Sequence, residues 1–247
     1  MSRWKAAAIH LSISASIGLL AAALIFGVWY PPPYSKATGA DELVLLLMGV
    51  DIVLGPMLTL VVFRSGKKSL RLDLTVIAIM QTCALLYGMS VVVRARPVFI
   101  VGVDDRFVVV LANDLDNKDL RKAKAPEFAS LPWTGPKIVG AAVPTDPKAR
   151  SDLFDSAAAG KDIEKLPEYY VRYSSHAPLL LARAQTLESL RKKHDSTGSI
   201  VDAWLAETSH RASEVKWLPL VAPRGDLAMF IDSKSGATLG ALSVDPW

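Results

Sequence analysis

One carboxylate stands where its surroundings do not suit it. Asp51 lies nine positions into the apolar run Leu43–Phe63 and is the sole formally charged residue of that run. An ionised carboxylate at the middle of a lipid-embedded helix costs about 2.5–3.5 kcal/mol on insertion scales. Its chemistry is therefore that of a polar anchor. Gln81, eight positions into the run Leu74–Val93, falls at similar depth on a helix running the opposite way. Two readings follow. Either Asp51 is neutral or hydrogen-bonded to Gln81 or Thr59 within the bundle, or it meets a polar or cationic group of another membrane protein. Gly55-Pro56, one turn further on, either kinks this helix or lets a neighbour approach closely.

The other reactive residue types do not assemble into a catalytic pattern. The sequence has no Gly-rich phosphate loop, no G-x-S-x-G elbow and no H-E-x-x-H pair. His10, His176, His194 and His210 lack partners at metal-ligand spacing; His194-Asp195 are mere chain neighbours, and all four read as solvated histidines at helix ends. Cys83, the single cysteine, reads as a small packing residue whose thiol is unreactive in lipid. Asp104, Asp105, Asp114, Asp116 and Asp119 form an acidic cluster without the glycine and terminal glutamate of an EF-hand loop. They read as a solvated turn and a helix N-terminal region. Arg191-Lys192-Lys193 reads as a solvated helix end, with attraction to a membrane surface as its alternative. No enzymatic activity, metal or cofactor is expected.

These residues must be carried by membrane helices. Of 247 residues, 51% are hydrophobic and only 21% charged, and the mean hydropathy is +0.29. The excess sits in residues 1–93 as three runs, Ala6–Trp29, Leu43–Phe63 and Leu74–Val93. Each supplies the roughly 20 apolar residues that a bilayer core needs. Trp29-Tyr30 marks an interface, and Pro31-Pro32-Pro33 stops the first helix. The expected organisation is a three-helix transmembrane region over 1–93 (spans about 6–29, 43–63 and 74–93) and a soluble domain over 94–247.

Charge decides the direction. Arg3 and Lys5 precede the first span, and Arg64, Lys67, Lys68 and Arg71 lie between the second and third, whereas Lys36 is the one cation between the first two. The positive-inside rule puts the N-terminus and second loop in the cytoplasm and sends residues 94–247 outward, into the bacterial periplasm. A cleaved signal peptide ending near Ala21-Ala22-Ala23 is the alternative for the first run and leaves the domain on the same side. The domain holds 21 Lys/Arg against 20 Asp/Glu, so no basic footprint for nucleic acid exists.

Within the domain, Val98–Val103 and Phe107–Leu111 read as a hairpin, Asn113–Lys122 as a polar helix, and residues 125–136 as an ordered, proline-rich loop around Trp133. That loop is expected to pack on the sheet, because its aromatic has much apolar area to bury. Lys137–Val143 reads as a strand. Asp146-Pro147 opens a helix that Gly160 closes. An amphipathic helix is predicted over 178–193, a shorter one over Ile200–Thr208, and three final strands over Trp217–Val221, Leu227–Asp232 and Ala237–Val244. The predicted fold class is α+β with a mostly antiparallel sheet.

Several motifs together resemble the TfpX/TfpZ family of type IV pilin accessory proteins. They are Gly49-Val50-Asp51-Ile52-Val53-Leu54-Gly55-Pro56, Gly66 to Leu74, Gln81 with Tyr87-Gly88, Ala95-Arg96-Pro97-Val98, Asp105-Arg106-Phe107, Leu131-Pro132-Trp133-Thr134-Gly135-Pro136 and the terminal Asp245-Pro246-Trp247. The likeness covers essentially the whole chain, though residues 145–215 match only in layout. It implies an inner-membrane, chaperone-like factor that binds a major type IV pilin, contacts membrane lipid and inner-membrane pilus machinery, and serves pilus assembly or dynamics and hence twitching motility. The partner-binding candidates are then Asp51, Gly55, Pro56 and Gln81 in the membrane half, with Trp133, Thr134, Gly135 and Pro136 in the domain. Two other readings stand beside this one. A membrane-anchored sensor or regulator would lack its own output domain, and an envelope-modifying enzyme would lack a catalytic constellation.

Overall fold

The structure, a computed structural model, describes every residue of the chain except Asp195. Helix α1 (Arg3–Leu24) begins where the Ser2 side chain accepts from the Lys5 amide, and it passes into a π-helical turn over Ile25–Trp29. The prolines at 31–33 then end it. A short α2 (Tyr34–Thr38) leads to α3 (Ala40–Val62), whose first turn carries Asp41 and Glu42 at its positive end. Helix α4 (Leu70–Arg94) follows, with Arg94 in its last turn. These three long helices are apolar and long enough to cross a membrane. Both α1 and α4 pack on α3 and barely touch each other.

The remainder is an α/β domain. Its strands are β1 (Pro97–Val103), β2 (Arg106–Leu111), β3 (Lys137–Ala141), β4 (Tyr170–Arg172), β5 (Gln185–Thr186), β6 (Val215–Val221), β7 (Leu227–Asp232) and β8 (Thr238–Leu242). Its helices are α5 (Asn117–Leu120), α6 (Pro147–Ala158), α7 (Tyr173–Arg183), α8 (Leu187–Arg191) and α9 (Thr197–Thr208). The sheet runs β4-β3-β1-β2-β6-β7-β8, with β5 paired beside β6. It is mixed, which corrects the expectation of a mostly antiparallel sheet. β1 lies parallel to β3 and β2 lies parallel to β6. β1 reaches β3 through residues 104–136, which include β2, and β2 reaches β6 through residues 112–214, which include β3 and β4. Both connections exceed the length a parallel crossover requires.

Other differences from the sequence reading have local causes. The single helix predicted over 178–193 is two, α7 and α8, split by the extended Ala184 and by β5. Pairing of Gln185 and Thr186 with Trp217 and Lys216 outweighs continuing the helix, and the Trp217 indole donates to the Thr186 carbonyl. The polar stretch 113–122 forms only the one-turn α5 after a 3₁₀ turn at Ala112–Asp114. There Asp114 accepts from the Leu111 amide. Helix α6 follows its prediction, capped by Asp146 with Pro147 at the first position.

All seven residues of β1 are buried. Alternate side chains enter opposite layers: Phe99 and Val101 join Val110 and Tyr170 on one face, while Ile100 joins Phe107, Leu180 and Leu218 on the other. The second layer also holds Ala37, 3% exposed, and is packed by Tyr34. The segment between the first two long helices is therefore part of the domain's own core. The Arg224 amide donates to the Ala37 carbonyl at 2.9 Å, which fastens the β6–β7 turn to α2.

Candidate functional site

The middle of α3 is shaped by two residues that favour close approach. Pro56 withholds the amide that would bond the Ile52 carbonyl, removing one rung of the helical ladder. Gly55 lets α4 come in. A Cβ at position 55 would lie 2.1 Å from Gln81 Nε2, a distance no side chain tolerates. Gln81 Nε2 donates instead to the backbone carbonyl of Asp51 at 3.1 Å. The structure thus brings Asp51, Gly55 and Gln81 together, with Pro56 on the same turn.

It does not make the side-chain bond expected for Asp51. Gln81 takes the main-chain oxygen, and Thr59 is engaged elsewhere: His10 Nδ1 and Thr59 Oγ1 stand 2.6 Å apart, tying the start of α1 to the end of α3. Asp51 Oδ1 is buried without a hydrogen-bond partner among the described residues. It borders a cleft of about 220 Å³ between α1 and α4, floored by α3. Polar groups face this cleft from all three helices: His10 and Ser14 from α1, Asp51 from α3, Gln81 and Thr82 from α4. The rest of the lining is apolar. The cleft thus presents a few hydrogen-bonding groups within an apolar lining.

His10 and Ser14 escaped the sequence reading, which took His10 as solvated. The signal was present as polar residues four apart, in step with Gly18 and Ala21 on the same helical face, while Ser12 and Ser16 bond their own helix backbone. Cys83 likewise departs from its expected packing role, for it is exposed on the outside of α4. His176 is not solvated either. It is 5% exposed between α7 and β3, its Nε2 lacks a partner, and burial holds its imidazole below the ordinary range. His194 lies 3.5 Å from Asp245, while Asp195 lies outside the described residues. Of the acidic cluster, Asp116 and Asp119 are both bound by Lys161.

The second group of candidates, Trp133 to Pro136, sits apart from the cleft, where the domain meets the helix ends. Gly135 abuts the last turn of the first helix, a Cβ there lying 3.1 Å from the Val28 carbonyl oxygen and 3.3 Å from Pro31. Trp133 does not pack on the sheet as expected. Leu131 and the buried Pro132 fill that space, and the indole points outward, 73% exposed. The Arg96 guanidinium lies 5.5 Å from the Trp133 ring centroid.

Fold and site together define an apolar three-helix N-terminal unit whose polar-lined cleft is fused to an α/β domain. The chain belongs to the FimB family of fimbrial assembly proteins. It is 32% identical to the serogroup I fimbrial assembly protein of Dichelobacter nodosus, across 98% of this chain and 95% of that protein. A serogroup E1 counterpart is 31% identical over the same shares, and one of serogroups C1 and C2 is 36% identical across 48% of this chain and 92% of its own length. The family model described as fimbrial assembly protein FimB matches residues 1–39. No solved structure matches the chain.

Proposed function

We propose that this protein is an accessory factor of the TfpX/TfpZ type, resident in the inner membrane with its N-terminus in the cytoplasm and its α/β domain in the periplasm. In this reading it acts by binding rather than by catalysis. It receives the single-span helix of its cognate major pilin in the cleft between α1 and α4 and holds it until the subunit passes to the inner-membrane pilus machinery.

The observation that carries this reading is Asp51 Oδ1, buried at the cleft wall with no hydrogen-bond partner among the described residues. A polar group or the processed amine of an incoming helix supplies its missing partner. An interhelical polar contact in lipid contributes about 0.6–2 kcal/mol, enough for a transient handover and too little to trap a subunit. Membership of the fimbrial assembly family supports the biological setting, and the cationic flanks of the helices support the orientation.

Co-purification of pilin with the full-length protein tests the reading. At wild-type abundance, Asp51→Asn is expected to lower pilin recovery and Asp51→Leu to lower it further, with piliation reduced in parallel. Unchanged recovery and piliation in both variants would remove Asp51 from pilin binding and the reading with it.

A further inference from the structure

The Trp133 loop is built as a stiff projection from the ends of two membrane-length helices. Arg96, two residues beyond α4 and 6% exposed, donates to the Val93 carbonyl at 2.7 Å and to the Pro132 carbonyl at 3.1 Å. The first bond caps the last turn of α4 with a cation, and the second fastens the loop to it. On its other flank the loop meets Val28 and Pro31 at the end of the first helix through the close approach at Gly135. Pro132 and Pro136 restrict the backbone on either side. The exposed indole is therefore held at the level where both helices end.

That level is fixed by helix length. Twenty-five residues make α4 about 37 Å long, longer than the roughly 30 Å hydrocarbon core it is suited to cross. Its terminal residues must then lie in the polar interfacial layer. An outward-facing indole at that depth, beside a guanidinium, matches the place where tryptophan is enriched in membrane proteins, ring in the acyl boundary and N–H toward the headgroups.

We propose that Trp133 is a lipid-interface anchor: the loop 131–136 seats its indole in the headgroup layer of the leaflet facing the α/β domain and so holds that domain against the bilayer. The occupant of this surface is phospholipid rather than pilin. The inference rests on the membrane-spanning part of the proposed function and is independent of pilin binding.

Tryptophan fluorescence of the full-length protein in phosphatidylcholine vesicles tests it, comparing the wild type with Trp133→Phe. An indole this exposed can be replaced without loss of fold. The difference between the two proteins isolates Trp133. Phospholipids brominated near the top of the acyl chain are expected to quench roughly half of that difference signal, more than lipids brominated near the terminal methyl, while aqueous acrylamide quenches it weakly. Strong acrylamide quenching with no effect of bromolipid would overturn the anchor. So would weak quenching by both, which would indicate a protein neighbour. Quenching that persists in Trp133→Phe, from the exposed Trp4 on the first helix, reports insertion separately. Its absence would instead overturn the membrane-spanning reading on which the anchor depends.

Discussion

The Tyr30 hydroxyl donates a hydrogen bond to the Val92 carbonyl oxygen across 2.7 Å. This bond links the end of the first helix to the last turn of α4, two elements that otherwise scarcely meet. Both residues are buried with Ile25, Trp29 and Val44 in one apolar cluster. The bond therefore bridges the two helices that wall the cleft, near their domain ends.

Removing that hydroxyl leaves a buried acceptor unpaired, a loss of about 1–3 kcal/mol. Tyr30→Phe is expected to lower the thermal midpoint of the detergent-solubilised protein and to speed hydrogen exchange in the last turn of α4. An unchanged midpoint would show that water replaces the bond.

At Gly55 the expectation is steric. Gly55→Ala places a methyl group inside the Gln81 carboxamide, so Gln81 must turn away and release the Asp51 carbonyl. Overpacking of this kind costs about 1–3 kcal/mol. Shortening Gln81 to alanine removes the obstacle, so the double variant Gly55→Ala/Gln81→Ala should be no less stable than Gln81→Ala alone. Strict additivity of the two losses in a double-mutant cycle would contradict this contact.

His176 makes the domain acid-sensitive. Burial lowers its pKa from the ordinary 6.5, so the folded domain binds fewer protons at this site than the unfolded chain does. Its stabilising contribution is complete above about pH 6.5 and is lost as pH falls through the folded-state value. Denaturation midpoints of the wild type should drop through this acid range more steeply than those of His176→Leu. Parallel pH profiles would assign the acid response to other groups.

The α2 segment ties the domain's stability to the N-terminal helical half. Residues 94–247 expressed alone lack Ala37 and Tyr34, and with them part of the apolar cluster that includes Leu227 and Phe107. The isolated domain is expected to be less stable than in the full chain by on the order of 2–4 kcal/mol. Hydrogen exchange in β6 and β7 measures it, and a fragment including residues 31–39 on a linker should recover part of the loss.

Lys161 gathers Asp116 and Asp119 at 2.7 and 2.5 Å, but the two carboxylates are not equivalent. The Asp119 side chain is 10% exposed and is also reached by Lys122, while that of Asp116 is 68% exposed. Chemical denaturation should rank Asp119→Ala as clearly destabilising and Asp116→Ala as close to neutral, since exposed pairs contribute little.

The amino-acid sequence by itself determined the parts governed by local composition and period. Three apolar runs of span length became three long helices, and Asp146-Pro147 started α6 where a cap and a first-turn proline place it. The final three strands also fell within a residue or two of their expected ranges, because short apolar runs bounded by turn residues mark strands. Asp51 was legible as the one carboxylate within an apolar run, because the cost of desolvating a charge follows from its residue type and apolar surroundings. Tertiary structure alone decided what those elements meet. The parallel pairings β1–β3 and β2–β6 join residues far apart in the chain, and no local signal distinguishes them from antiparallel ones. The break between α7 and α8 exists because β6 offered a pairing partner. Gln81 chose the carbonyl rather than the carboxylate of Asp51, His10 claimed Thr59, and Trp133 turned outward. Each outcome was a competition between several groups for one partner or one space, and such competitions are settled only when the whole chain has packed.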